Sequence, residues 1–344
     1  MKEKYTLDKL LRERKCTLLV IIVILLTLVA GLSETLAILY NNFSAQERKV
    51  YILCVTEADD SWVNKNDMRD ATISFLSALG IKGEVIETAD EWDTLIRQAP
   101  EGAIVINCHG EVTPLPTSYG ADYESFYRDL ASLIKDKGWV YIHIPGFGFY
   151  FTGNSKTVGD KYKVGDSGVG IFFSALGLSY HQEGVPDLVN PWCDQDAIIT
   201  DLARNVSRAV GLRLPEMVRA SRALAIAVDQ LPEDIKVLWY WYKVPEDKKI
   251  WQGYPYLALV CIKVGKGVLV WGGLGGRSGS DYGAMAAMIT AYILNPDLAT
   301  KAGGLSLIRK RQLFIYSLVA VGAIFVAYLV VLLYRRSVPP IESA

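Results

Sequence analysis

The sequence predicts an α/β fold, a three-layer sandwich with a mostly parallel central sheet, together with two transmembrane helices. The first observation is that short β-branched apolar stretches alternate with amphipathic helical stretches between residues 49 and 144. This alternation is typical of parallel strands joined by right-handed helical crossovers. The second observation is a long apolar segment near each end of the chain. The later one, 313–334, is uncharged and has the length that spans a bilayer, whereas Ser33 and Glu34 interrupt the outer end of the earlier one.

Between the two apolar segments, the expected elements follow from the spacing of apolar residues. In the first half, strands are expected at 49–56, 84–87, 103–107 and 139–144, and helices at 66–79, 89–98 and 122–137. In the second half, helices are expected near 169–176, 197–209 and 281–294, with a strand at 237–243. Strands at 256–264 and 268–272 flank a Gly-Lys-Gly turn and predict an antiparallel hairpin.

The two apolar segments divide the chain into five parts. We expect residues 1–15 to be cytoplasmic, 16–40 a transmembrane helix, 41–308 an extracytoplasmic domain, 309–334 a second transmembrane helix and 335–344 a cytoplasmic tail. Basic residues before the first helix and after the second predict a two-pass cell-membrane protein with both termini in the cytoplasm. Arg309, Lys310 and Arg311 lie on the other flank of the second helix and weaken this inference. The first helix is interpreted as an uncleaved signal anchor, with a cleaved signal peptide as the alternative.

Charge and cysteine usage exclude several classes of function. The formal net charge of −1 hides an acidic middle segment, because many basic residues lie at the two ends. An acidic domain does not neutralise phosphates, so we expect no nucleic-acid partner. The five cysteines show no Cys-x-x-Cys spacing, which disfavours a zinc ribbon and a disulfide-rich scaffold. Asn42 and Asn205 begin Asn-x-Ser motifs, which predicts a glycoprotein.

The strand at 103–107 ends in Cys108, His109, Gly110 and Glu111, a group with catalytic potential. Ligands of open α/β sheets bind outside the carboxyl ends of the strands, which is where this group would lie. Adjacent residues at a strand end point in different directions, so a base for Cys108 has to come from elsewhere. A cysteine hydrolase would use Cys108 with His181 and Glu183. The alternative is that Cys108 is a small buried residue.

A ligand crevice is expected at the same edge of the sheet. Its candidate residues follow strands or lie in the glycine-rich junction after the fourth strand: Glu57, Asp59, His109, Glu111, Gly146, Phe147 and Gly148. The acidic loop with Glu57, Asp59 and Asp60 is either a hard-cation site or a solvated turn.

Metal and nucleotide sites have weak support. A metal site would need His109, His143 and His181 with Glu111 or Glu183, but His143 lies within a strand and is expected in the core. The loop 272–279 lacks the spacing of a nucleotide-binding loop. We therefore predict no metal and no cofactor.

Aromatic residues cluster at 147–151, 239–242 and 251–256. Exposed Trp and Tyr next to acidic residues suit stacking on a sugar ring or a protein interface, whereas buried ones would only fill a core. The sequence therefore predicts a glycan or peptide ligand as one possibility and leaves a packed core as the other.

Three features together resemble the class I glutamine amidotransferase-like family, which has a flavodoxin-like fold. They are the strand ending in Cys108-His109-Gly110-Glu111, the strand-then-glycine junction at 144–148, and the Gly-Lys-Gly hairpin with its closing helix. The similarity extends over residues 50–294. In active members, a nucleophilic cysteine occupies a tight elbow after a strand, and a His-x-Glu pair completes the triad. The elbow position here, 145–148, holds no Cys, Ser or Thr, while His181 and Glu183 match the His-x-Glu spacing.

The resemblance implies a pseudoenzyme, so the main functional hypothesis is a binding or assembly subunit of a membrane complex. Its expected partners are the lipid bilayer, a membrane protein or a second copy of the chain, and a glycan or peptide. The first alternative is the cysteine hydrolase described above. The second is an accessory subunit of an export or transporter complex, in which small residues of the second helix pack against partner helices.

Overall fold

Five strands lie side by side in parallel and form one half of an 11-stranded sheet, and all but the edge strand are buried almost throughout. Their apolar, β-branched residues suit burial on both faces of a sheet. In sheet order the strands are β2 (Gly83–Ile86), β1 (Val50–Leu53), β3 (Ile104–Asn107), β5 (Val140–Pro145) and β14 (Gly267–Gly275). The structure is a computed structural model, and it describes residues 48–178, 188–189, 192–226, 231, 233–248, 255–300 and 307–337.

Helices pack on both faces of the parallel strands, as the alternation of side chains requires. On one face, Tyr141 and its neighbours join a hydrophobic cluster with residues of α2 (Ala89–Gln98), α3 (Tyr123–Lys137) and α4 (Gly165–Leu176). Against the other face lie α1 (Lys65–Leu79) and α6 (Gly279–Leu294). These two helices approach closely, since a methyl group on Gly283 would come within 2.6 Å of the Ala71 Cβ atom.

Local sequence explains where the first helices begin and end. The Asn64 side chain accepts hydrogen bonds from the backbone N–H groups at the start of α1, and Gly80, in the left-handed conformation, ends it. Thr88 and Glu91 form a reciprocal capping box at the start of α2. Each helix follows a strand in the chain, so the loops that precede the two helices lie at the carboxyl ends of β1 and β2.

The other half of the sheet is antiparallel and closes into a small barrel. From β14 the pairings lead through four strands and return to β14. These strands are β10 (Met217–Arg222), β9 (Trp192–Ile199), β12 (Val237–Lys243) and β13 (Tyr256–Val264). The sheet extends from β13 to β11 (Leu224–Ile226) and β8 (Leu188–Val189), and α5 (Asp201–Val210) follows β9.

The strand β14 belongs to both halves because it bends at two glycines. It pairs in parallel with β5 through Trp271, and its register shifts before Leu274, which pairs with β10. A methyl group on Gly273 would come within 1.8 Å of the Arg222 carbonyl oxygen, and one on Gly272 within 2.4 Å of the Ile144 carbonyl oxygen. Only glycine allows the backbones to approach this closely.

The predicted flavodoxin-like three-layer sandwich with a mostly parallel sheet was therefore wrong. The described sheet is mixed, and its antiparallel half closes on itself. The prediction included the β13–β14 hairpin but placed a helix at 197–209, where β9 ends at Ile199 before α5 begins. It also missed β10, which supplies the partner that closes the barrel.

A second sheet of three strands lies outside the large one. It consists of β4 (Val112–Pro114), β6 (Phe151–Asn154) and β7 (Gly159–Lys163), in the order β4-β6-β7. β4 begins directly after Glu111, so this sheet fixes the segment that leaves the end of β3.

Residues 47–306 form one compact unit, and the helix α7 (Leu307–Ser337) belongs to another. The domain boundaries at residues 41 and 308 stay predictions.

Within the residues that the structure describes, no helix has the length and apolar character needed to cross a membrane. The first predicted span, residues 16–40, and its signal anchor lie outside those residues, and the second, 309–334, falls in α7. The prediction of two transmembrane helices, and with it the two-pass membrane localisation, is withdrawn on this finding.

The bend in β14 generates a first prediction. We expect Gly273→Ala to lower the free energy of unfolding by about 3 kcal/mol, because its methyl group would collide with the backbone of β10. Urea denaturation would measure this loss. Gly322→Ala in α7 is the control, since no atom lies within 4 Å of the added methyl group. Equal midpoints for the two variants would contradict the role of Gly273.

Candidate functional site

Cys108, the predicted nucleophile, lies inside the protein at the end of β3. Its side chain is 0% exposed, and its backbone N–H donates to the Leu53 carbonyl at 3.1 Å. Burial raises the pKa of the thiol well above its ordinary value, so the reactive thiolate is disfavoured. His181 and Glu183 lie outside the described residues, and the triad stays a prediction. Cys108, the member of the predicted triad that the structure describes, is therefore a thiol shielded from solvent.

His109 holds the neighbouring loop. Its Nε2 accepts a hydrogen bond from the Val55 backbone N–H at 2.8 Å, and its Nδ1 lies 2.7 Å from the Asp59 carbonyl oxygen, to which it donates. The ring is fully buried, and burial lowers the pKa of His109 to about 3. Both ring nitrogens are therefore committed to the backbone in the neutral form, which leaves none for a metal or a proton transfer.

The loop from Val55 to Trp62 is fixed at its far end as well. The Ser61 backbone N–H donates to the His109 carbonyl at 3.1 Å, and Ser61 forms a parallel bridge with Gly110. Gly110 has a positive φ of 64°, and a methyl group there would come within 1.8 Å of the Ser61 carbonyl oxygen. The Gly in Cys-His-Gly-Glu is therefore required for this close approach.

The acidic loop uses its carboxylates within the protein. Glu57 pairs with Lys156 at 3.0 Å and accepts a hydrogen bond from the Ala89 N–H at the start of α2. Burial alone would raise the pKa of Glu57, but these and other hydrogen bonds outweigh it and lower the pKa. The Lys65 ammonium donates to the carbonyl oxygens of Val55 and Ala58, so a side-chain cation already binds the loop.

Glu111 is the predicted crevice carboxylate that contacts the glycine-rich segment after β5. Its Oε1 accepts from the Phe147 backbone N–H at 3.1 Å, and its Oε2 accepts from the Ser61 hydroxyl at 3.3 Å. The residue is 9% exposed. The structure thus brings Glu111, Gly146 and Phe147 together, as the sequence predicts, whereas Glu57 is bound elsewhere by Lys156.

Trp62 lies across this site and was not predicted. A methyl group on Gly146 would come within 2.6 Å of its Cδ1 atom, and one on Gly275 within 3.2 Å of its Cε3 and Cζ3 atoms. The indole therefore rests on the backbone at the ends of β5 and β14, yet the residue is 41% exposed. We call Ser61, Trp62, Glu111, Gly146 and Gly275 the Trp62 platform.

The backbone of Trp62 is in an uncommon conformation. Its φ of 72° is rare for a bulky side chain and costs free energy that the surrounding structure must supply. Two further side chains border the platform. The Ser221 hydroxyl would lie 2.5 Å from a methyl group on Gly275, and the Arg222 guanidinium lies 4.7 Å from the centre of the Phe147 ring.

His143 lies in the core beneath the site. Its ring packs against Gly148, where a methyl group would come within 2.9 Å of three ring atoms, and its centre lies 6.3 Å from that of Trp271. Neither ring nitrogen has a hydrogen-bond partner within the described residues. Burial lowers the pKa of His143 to about 4, so the ring is neutral. The described residues contain no group of three potential ligands that could hold a metal ion.

The remaining predicted residues are distributed over the molecule. Asn205 is exposed on α5, as a glycosylation acceptor must be, whereas Asn42 lies outside the described residues. Of the aromatic clusters, Phe147 and Trp241 are buried and Trp239 is 41% exposed. Five of the nine that the structure describes thus lie in the core, whereas Trp239 and Tyr240 are exposed.

The two buried histidines generate a pH prediction. Their pKa values in the folded protein, about 3 and about 4, lie below the ordinary value of 6.5. Between pH 6.5 and about 4, the unfolded chain therefore binds more protons, and the free energy of unfolding should fall as pH is lowered. Each histidine contributes up to about 1.4 kcal/mol per pH unit.

Urea midpoints measured across this pH range would test the effect. His143→Phe should make the pH dependence shallower, because it removes one of the two groups without removing a hydrogen bond that the structure shows. An unchanged slope in this variant would contradict the assignment.

Comparison with known proteins finds no matching family model and no matching curated protein. Among solved structures, the chain is similar to the β-galactosidase from Bacillus circulans sp. alkalophilus, with 13% identity, 73% of this chain and 32% of that chain covered, and a TM-score of 0.34. The chain is also similar to the cold-adapted β-galactosidase from Rahnella sp. R3, with 14% identity, 71% of this chain and 30% of that chain covered, and a TM-score of 0.33.

The chain spans about a third of the length of these two enzymes, and similarity at such TM-scores carries no conclusion about fold or activity. The resemblance to the class I glutamine amidotransferase-like family is corrected. The described sheet is mixed and its antiparallel half closes into a barrel, unlike a flavodoxin-like domain, and no family model matches the chain.

Proposed function

We propose that this chain is a non-catalytic binding domain that holds a carbohydrate on the Trp62 platform. The observation that carries the proposal is an exposed indole resting on two glycines beside a fixed carboxylate. A sugar ring offers an apolar face of C–H groups and a rim of hydroxyl groups. The platform presents the complementary surfaces, a flat aromatic ring and oxygen acceptors.

The carboxylate of Glu111 retains capacity to bind a ligand. An ionised carboxylate can accept about four hydrogen bonds, and the structure shows two, from Phe147 and Ser61. Hydrogen bonds to a charged acceptor are stronger than those between neutral groups. A sugar hydroxyl that donates to Glu111 would therefore add both affinity and orientation to the stacking on Trp62.

The rigidity of the platform supports the same proposal. Trp62 follows a loop held at both ends by His109, and its ring has two glycine backbones beneath it. A side chain that is already fixed loses little conformational entropy when a ligand binds. Strained residues in folded proteins are also concentrated at functional sites.

The groups nearest to catalytic chemistry do not favour an enzyme. Cys108 is buried with a raised pKa, and the nitrogens of His109 are bonded to the backbone. The binding role predicted from the sequence is therefore preferred over the hydrolase. A protein partner or a second copy of the chain stays a prediction.

The test is titration calorimetry of the protein with a panel of soluble neutral oligosaccharides. We expect at least one to bind, and Trp62→Ala to weaken it roughly tenfold or more, since the loss of an aromatic contact costs about 1.5 kcal/mol. Trp239→Ala is the matched control, because Trp239 is also 41% exposed but lies on β12 in the barrel. Absence of binding to the whole panel, or equal losses in both variants, would refute the proposal.

A second variant tests the negative charge of Glu111 and keeps a side chain of similar size. We expect Glu111→Gln to weaken the same sugar by roughly five- to tenfold while the fold is kept, because a neutral acceptor forms weaker hydrogen bonds. Circular dichroism and the thermal midpoint serve as controls for folding. Unchanged affinity in a folded variant would show that Glu111 does not contact the ligand.

A further inference from the structure

Two free thiols lie side by side at the carboxyl ends of neighbouring strands. Cys54 follows β1 and Cys108 follows β3, and the parallel pairing of these strands places Leu53 opposite Asn107. The N–H of Cys108 donates to the Leu53 carbonyl, so the pairing continues to the cysteines. Neighbouring strands are about 4.8 Å apart. This spacing falls within the Cα–Cα range of about 4.4 to 6.8 Å that a disulfide requires.

The two thiols share a face of the sheet but differ in their surroundings. Residues opposite each other in a parallel pair project to the same side. The Cys54 Sγ atom lies 4.0 Å from a guanidinium nitrogen of Arg69 and 3.8 Å from the Asn66 Oδ1 atom, at the first turn of α1. The Arg69 side chain is 26% exposed. Both thiols are buried, with Cys54 2% and Cys108 0% exposed, but Cys54 lies directly against the partly exposed Arg69.

Charged groups make Cys54 the more easily ionised thiol of the pair. Burial raises its pKa, and Arg69 and Lys65 oppose that rise, while Asp70 adds to it. Cys108 has its pKa raised further by burial and by the neighbouring Cys54. Because the thiolate is the form that reacts with oxidants, Cys54 is the entry point of the pair.

We propose that Cys54 and Cys108 form a reversible redox pair, which a peroxide converts into a disulfide that ties β1 to β3. The Cys54 thiolate attacks one oxygen of hydrogen peroxide, an S–O bond forms as the O–O bond breaks, and the hydroxide that leaves takes up the proton that Cys54 released on ionising, which gives the first water. The Cys108 thiol then attacks the sulfur of the resulting sulfenic acid, an S–S bond forms as the S–O bond breaks, and water leaves with the Cys108 proton. Each disulfide thus consumes one peroxide and releases two waters.

The position of the pair makes this disulfide easy to reduce. Side chains that stand parallel on adjacent strands hold their Cβ atoms farther apart than the mean of about 3.8 Å in disulfides. The bond would therefore be strained, and strained disulfides have more oxidising potentials. The disulfide would lie directly before Val55 and His109, where the loop that carries Trp62 begins. The inference concerns the thiols and does not require that the platform bind sugar.

The test uses the whole folded protein and hydrogen peroxide. After treatment near pH 8 and alkylation of free thiols, peptide mass spectrometry should show a Cys54–Cys108 peptide with the loss of two hydrogens, which dithiothreitol restores. The rate should increase with pH as Cys54 ionises, and Arg69→Gln should slow it severalfold. Cys261, a free thiol buried in the barrel, should stay unlinked.

Two variants distinguish the roles of the thiols. Cys108→Ser should accumulate sulfenic acid on Cys54, detectable with dimedone, whereas Cys54→Ser should leave Cys108 unmodified. A wild-type protein that yields no linked peptide overturns the proposal, and this result does not depend on whether either variant folds. Linkage at an equal rate to Cys261 would overturn it as well, because the pairing would then be unspecific.

Discussion

The hydrogen bonds of the His109 imidazole are the interaction on which the loop that carries Trp62 depends. It joins the Val55 N–H to the Asp59 carbonyl across a tight loop, and the His109 backbone holds Ser61. Without the ring, a backbone donor and a backbone acceptor would be left unsatisfied, at a cost of about 1 to 3 kcal/mol each if they are shielded from water. Only the neutral ring can accept a hydrogen bond from the Val55 N–H while it donates one to the Asp59 carbonyl. Burial lowers the pKa of His109 and keeps the ring neutral, so it is needed for both hydrogen bonds.

The Trp62 platform is assembled from both halves of the sheet. The parallel half supplies Glu111 and Gly146, at the ends of β3 and β5, and the loop after β1 supplies Trp62. The antiparallel half supplies Gly275 beneath the indole and Ser221 beside it. The barrel therefore forms part of the floor under the aromatic ring, and the site would be incomplete without it.

The sequence predicts the positions of the parallel strands and of the residues that end them. Glu111, Gly146 and Phe147 were predicted as neighbours because the carboxyl ends of adjacent parallel strands meet at one edge. The barrel could not be predicted in the same way. Its strand β10 alternates exposed and buried residues over only its first four positions, too few to distinguish from a loop.

The surroundings of individual side chains could not be predicted from the sequence either. Trp62 follows two aspartates in a polar loop, and nothing in that pattern indicates that the ring rests on glycines from distant strands. Glu57 looks like a metal ligand in sequence, but Lys156 from a distant hairpin neutralises it. Cys108 resembles a nucleophile by its position after a strand, and only the packing above it shows that water is excluded.

Because β14 pairs with β5 along one edge and with β13 along the other, and with β10 at Leu274 and Gly275, the same nine residues stabilise both halves of the sheet. Neither half keeps a complete set of backbone hydrogen bonds if the other is removed. The compact unit should therefore melt as one cooperative block, and no cut in the chain before β14 would yield two fragments that each fold alone. An insertion or fusion would be tolerated best far from this strand, at exposed turns such as the one around Gly120.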